Sequence, residues 1–192
     1  NYALMLAEEL QKRGPYAGNL DATFLADLRD AMPLHDIGKV GIPDRILLKR
    51  GPLSPPERKA IEKHPGFGAK AIQAVIDKAP SAGFMTMARD IALCHHERFD
   101  GTGYPSCLAE DRIPLAARIA SVADVYDALT TKRPYSNAMS HEQAVNLILE
   151  GRETQFDPHV VDAFLRCEKR IADLSIELGQ EAESVQESDD PD

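Results

Sequence analysis

No apolar run in the chain approaches the roughly eighteen residues that a membrane-crossing helix needs, although hydrophobic residues make up 43% of the sequence. The first residues also lack the charged-then-apolar order of a secretory signal. Cysteine is scarce: Cys94, Cys107 and Cys167 are an odd number at unmatched spacings, with no Cys-x-x-Cys among them. That argues against a disulfide framework and against a structural zinc ribbon, and fits reduced thiols. A basic face is missing as well. The formal charge is -9, and residues 177–192 hold seven acids and no Lys or Arg, so the rest of the chain is close to -2. Phosphate backbones demand clustered cations, so a polymeric nucleic-acid partner is not expected, whereas a small anionic ligand held by metal ions remains open. These absences point to a soluble, cytoplasmic chain of 192 residues, long enough for one domain with a real core. The helical pattern is already running at Asn1, with Leu4, Leu6, Ala7 and Leu10, so the expectation is a piece of something longer.

Alternating strand patterns are missing too, and apolar positions recur at helical spacing instead. Residues 1–13 read as a helix stopped by Gly14-Pro15. Asp21 caps a second helix carrying Phe24, Leu25 and Leu28, which Pro33 should end before His35. Ser54-Pro55-Pro56-Glu57 is a capping box opening a helix that Pro65 should end near His64. Gly66 and Gly68 then turn the chain into a helix from about Ala69 to Asp77, and another runs from about Phe84 to His96. Residues 98–110 read as a loop. A helix from Ile113-Pro114 to about Thr130 carries Ile119, Val122, Tyr126 and Leu129 on one stripe and Ala117, Ala120, Asp124 and Asp127 on another. Ser140 and Gln143 cap the next helix, which ends at Gly151, and Asp157-Pro158 opens the last. The expected fold is all-α, a bundle of about seven or eight helices over residues 1–176. The acidic tail, residues 177–192, should be disordered from about Glu181 onward.

Chemistry collects at four places: His35-Asp36, His64, His95-His96 and Asp124, each at a helix end or on a face of small residues. Each has a structural reading when taken singly. His64 could be a cation at a helix C-terminus, His95-His96 a half-buried pair, and Asp124 a solvated face residue. Together they offer four imidazoles and two carboxylates without a thiolate, a set that suits iron, manganese or zinc better than calcium or magnesium. Six ligands overfill one ion, so two are expected. Asp36, with two oxygens beside an imidazole, suits a bridge between them.

His35-Asp36-Ile37-Gly38-Lys39, then His95-His96-Glu97-Arg98-Phe99-Asp100-Gly101-Thr102-Gly103-Tyr104-Pro105, then Ala123-Asp124-Val125-Tyr126-Asp127 resemble the HD-GYP family. These are cyclic di-GMP phosphodiesterases within the HD metal-dependent phosphohydrolases. The resemblance covers about residues 1–170. It implies a helical HD-type domain that uses divalent metals, usually iron or manganese, to hydrolyse cyclic di-GMP to pGpG or on to GMP. It implies His35, Asp36, His64, His95, His96 and Asp124 as metal ligands, with Asp36 and Lys39 as catalytic residues and Lys39 near the scissile phosphate. Tyr104, Asp127 and Arg133 are implied in the substrate pocket. It further implies a sensory or receiver domain upstream. An alternative within the same resemblance is a weakly active or inactive module that binds cyclic di-GMP or docks a diguanylate cyclase (GGDEF) partner through the Gly-Tyr-Pro loop.

The sequence departs from the family pattern in two places. An upstream Glu and His that the family supplies to the site are absent ahead of Asn1, so one metal position should be short of a ligand and a third metal is doubtful. Ser136 also stands after Arg133-Pro134-Tyr135, where a basic residue is common.

Overall fold

Asp21 shows how directly the local signals become structure. Its side chain accepts a hydrogen bond from the Phe24 amide at 2.8 Å and opens α2 (Ala22–Ala31), after α1 (Tyr2–Lys12). The computed structural model describes residues 1–79, 83–131 and 138–188, the last ten of these by backbone only. After α2, 3-10 turns at Met32–Leu34 and Ile37–Gly41 carry the His35-Asp36 pair, followed by the single-turn α3 (Asp44–Leu47). Then come α4 (Pro55–Ile61), α5 (His64–Ile76), α6 (Gly83–Cys94), α7 (Leu115–Thr130), α8 (His141–Glu150) and α9 (Pro158–Ser188). No strand occurs among the described residues; one isolated bridge joins Arg152 and Phe156. The all-α expectation is met, with α3 the addition beyond eight. No helix among the described residues is long and apolar enough to cross a membrane. All three cysteines are unpaired.

α7 runs through the middle of the bundle. Ile119, Val122 and Tyr126 on its apolar stripe are fully buried against Leu6 and Leu10 of α1, Ile91 of α6, Ile148 of α8 and Val160 and Phe164 of α9. Burying one such side chain stabilises by about 1.5–3 kcal/mol, so this stripe holds the opposite face of α7, with Asp124, in a fixed direction. Gly151 ends α8 as expected, and Asp157 opens α9 by accepting from the His159 amide at 2.8 Å.

Two boundaries differ from the sequence reading. Pro65 does not end a helix at His64: α4 stops at Ile61, and His64 and Pro65 begin α5. Proline is as much at home in a first turn, where its missing N–H needs no partner, as it is disruptive inside a helix. Gly66 and Gly68 therefore lie within α5 rather than in a turn before it. Gly68 serves close packing, because a Cβ there would stand 3.2 Å from the Gly38 nitrogen. At the other end, α9 runs as far as Ser188. Glu, Ala and Gln are good helix formers, and no proline interrupts residues 180–188.

Candidate metal centre

Gly38 brings the two parts of the site together. A Cβ there would fall 1.9 Å from the His64 carbonyl oxygen and 2.4 Å from the Gly68 nitrogen, so only glycine lets the 3-10 turn lie flat on the start of α5. That contact sets Asp36 beside His64. α6 ends at Cys94 and delivers His95 and His96 to the same point, while α7 presents Asp124 from the far side.

Backbone carbonyls hold three of the four imidazoles. Nδ1 of His35 lies 2.9 Å from the Met32 carbonyl, Nδ1 of His64 2.7 Å from that of Ile61, and Nδ1 of His95 3.0 Å from that of Ile91. A carbonyl only accepts, so Nδ1 carries the proton and donates in each case, and Nε2 is turned inward. His64, His95 and His96 each offer a nitrogen within 4.8 Å of the others, a group able to hold a metal ion. Asp36 lies between this trio and His35. Its Oδ1 is 3.3 Å from His64 Nε2 and 3.8 Å from His95 Nε2, and its Oδ2 is 3.3 Å from His35 Nε2 and 2.5 Å from Lys39 Nζ. Asp124 Oδ1 stands 3.5 Å from His35 Nε2.

The charges sort by surroundings. Burial, then the positive His35, push His95 down to about 4; burial and the neighbouring imidazoles push His96 to about 3. Both are neutral at physiological pH, the state a metal ligand requires. Burial also works against a charged His35, but its hydrogen bonds to Asp124 and Asp36 prevail and raise it to about 10. Burial opposes ionisation of Asp36 too, yet hydrogen bonds from His35 and Lys39 to its Oδ2 hold its carboxyl well below the usual range. Asp124 is lowered against burial chiefly by His35.

The donor set fits divalent metal. Asp36 Oδ1 is buried and has no hydrogen-bond partner, a costly state for a carboxylate oxygen, and it faces two inward Nε2 atoms. A cation there would satisfy all three. His35 lies between Asp36 and Asp124, so Asp36 is common to this group and to the histidine trio.

A groove of about 190 Å³ opens from the site. His95, His96, Asp124, Ser121, Val125, Gln155 and the Gly-Tyr-Pro loop line it. Tyr104 stacks on His96 with ring centroids 4.9 Å apart and planes at 27°, and its amide donates to the His96 carbonyl. Burial raises the Tyr104 hydroxyl to about 12, so it stays protonated and can donate to an anion. Asp127, one turn beyond Asp124 on α7, instead lines a separate cavity of about 140 Å³ with His35 and Asn1. Asp124 borders both spaces. Arg133 and Ser136 lie outside the described residues. Sequence reasoning gave Glu97 no role, yet it is only 3% exposed, and both of its carboxylate oxygens are occupied by backbone amides of the loop. Nothing in the periodicity marks it, because both donors belong to a segment without regular structure.

This chain is similar to several known proteins. Residues 8–160 match the family model described as HD domain. A Vibrio cholerae protein named "Probable cyclic di-GMP phosphodiesterase" is 43% identical over 187 residues, covering 96% of this chain and 42% of its own length. Another from Vibrio cholerae, named "Cyclic di-GMP phosphodiesterase", is 42% identical over 91% of this chain and 35% of its own length. The chain thus spans less than half of either relative. Among solved structures, an HD-GYP-type protein of Bdellovibrio bacteriovorus, Bd1817, shares the fold with a TM-score of 0.64 at 23% identity, over 88% of this chain and 50% of that one. With the family model spanning most of the chain and the His-Asp pair, the His-His pair and the Gly-Tyr-Pro loop converging on one centre, the chain belongs to the HD domain family.

Proposed function

We propose that this domain is a metal-dependent phosphodiesterase that opens cyclic di-GMP to pGpG or on to GMP, as the output part of a signalling protein with a sensory or receiver domain upstream. The observation that carries it is the unpartnered, buried Asp36 Oδ1 facing the Nε2 atoms of His64 and His95 at the head of a groove. His64, His95 and His96 would hold one divalent ion, His35 and Asp124 a second, and Asp36 both; iron and manganese suit these donors best. Bound there, the ions supply Lewis acidity toward phosphate oxygens and lower the pKa of water.

The chain's own residues do the rest. Lys39, its Nζ held on Asp36 Oδ2 and its side chain 40% exposed, keeps a fixed positive charge beside the candidate centre for the scissile phosphate. Tyr104 offers a ring face to a guanine and a protonated hydroxyl to a phosphate oxygen. Asp127 and Arg133 are proposed to shape the substrate pocket, Asp127 from the cavity beyond Asp124. Pro105, Ser106 and Cys107 are exposed and form the surface on which a diguanylate cyclase partner would dock.

Metal analysis of the purified protein, combined with chromatography of the products formed from cyclic di-GMP, tests this reading. Two ions per chain and release of pGpG or GMP are expected. A chain that holds two ions and leaves the dinucleotide intact would be a binding module rather than an enzyme.

A further inference from the structure

Residues 97–109 carry the groove's aromatic wall, yet they contain no helix or strand. Something else must give them a single shape. Glu97 follows directly on the histidine pair and sends its carboxylate into the loop: Oε1 accepts from the Ser106 amide at 2.7 Å and Oε2 from the Leu108 amide at 3.0 Å. Gly103 lies against the backbone of the same residue, where a Cβ would meet the Glu97 Cα at 2.6 Å and the Arg98 nitrogen at 2.3 Å. Between these fixed points stands Tyr104, its amide on the His96 carbonyl and its ring flat on the His96 ring. A buried carboxylate is a costly way to stabilise a loop when an apolar side chain of similar volume would do, so its retention here points to geometry.

We infer that Glu97 is a positioning residue, clamping the far arm of the Gly-Tyr-Pro loop so that Tyr104 is held against His96 at the mouth of the groove. The clamp joins the far arm of the loop to the backbone that carries two of the imidazoles, next to the Tyr104 amide held on the His96 carbonyl. Arg98 braces the opposite flank, donating to Thr102 Oγ1 at 2.9 Å, Asp100 Oδ2 at 3.1 Å and Gln155 Oε1 at 3.2 Å. As regards substrate, the inference rests on the proposed cyclic di-GMP hydrolysis.

The test compares Glu97→Gln and Glu97→Asp with the wild type. Gln keeps the volume but turns an amide N–H toward one of the two backbone donors; Asp keeps the charge and gives up the reach. Both should raise KM for cyclic di-GMP about tenfold, the scale of losing one charge-assisted contact, with metal content unchanged and kcat reduced less. Tyr104→Ala should do the same, and the Glu97→Gln/Tyr104→Ala double variant should be no worse than Tyr104→Ala alone. A reading free of substrate and metal comes from NMR of the metal-free protein, where ring-current shifts of Tyr104 against His96 should be lost in both Glu97 variants. Retained shifts would overturn the inference, as would additive effects in the double variant or wild-type KM in Glu97→Asp. A wild type that does not hydrolyse cyclic di-GMP would instead overturn the proposed function, and the ring-current measurement would still decide the role of Glu97.

Discussion

His64 and His95 lose nearly all of their surface to the surrounding helices, at 1% and 2% exposed, whereas the side chains of His35, Asp124 and Asp36 remain 21%, 24% and 31% open. The trio of His64, His95 and the half-buried His96 is neutral at His95 and His96 and has inward nitrogens at His64 and His95. The open group is largely paired within itself: His35 sits between two carboxylates and Lys39 covers Oδ2 of Asp36, leaving Asp36 Oδ1 without a hydrogen-bond partner. One half of the site is thus preorganised by helix packing, and the other is an ion-pair cluster that a metal must break into. The difference teaches that two halves of one centre need not be equally ready for a cation.

The largest effect should come from the residue shared by both halves. Asp36→Ala should lower hydrolysis on the order of a thousandfold and release most of the metal, because the remaining ligands cannot offset the repulsion between two cations. Two ions still bound to this variant by elemental analysis would remove Asp36 from the site. Next comes the contact that joins the halves. Gly38→Ala forces the 3-10 turn off the His64 carbonyl, and destabilisation of about 1–3 kcal/mol or more is expected, with a lower melting temperature and loss of metal. Unchanged melting would mean the turn can move away without cost.

Asp124→Ala should separate the halves. It should weaken one ion about ten- to a hundredfold and leave the other bound by His64, His95 and His96 through a chelator titration. Loss of both ions together would show the two halves to be one cooperative unit. The smallest effect concerns pH. His35 is raised to about 10 in the metal-free protein, so below that value an ion entering the open half must displace its proton. Affinity there should therefore rise about tenfold per pH unit between about 7 and 9. His95 and His96, lowered to about 4 and 3, have already lost theirs, so they add no slope to the trio over that range. Equal slopes for the two ions would contradict this division.

The sequence by itself determined the helices and the chemistry they carry. Asp21, the Ser54 and Ser140 capping boxes, Gly151 and Asp157 act through hydrogen bonds within a few residues, so their effect is legible locally. The six candidate ligands were legible because imidazoles and carboxylates stood where amphipathic packing had no use for them. Pro65 was ambiguous for the opposite reason: the same ring ends one helix or starts another, and the close fit of α5 on Gly38 decided for the start. Only the tertiary structure could show that Asp36 Oδ1 is left without a partner, that His35 is charged while His95 and His96 are neutral, and that Glu97 clamps a loop. Each of these depends on distances between segments far apart in the chain, and on the water those segments exclude when they meet.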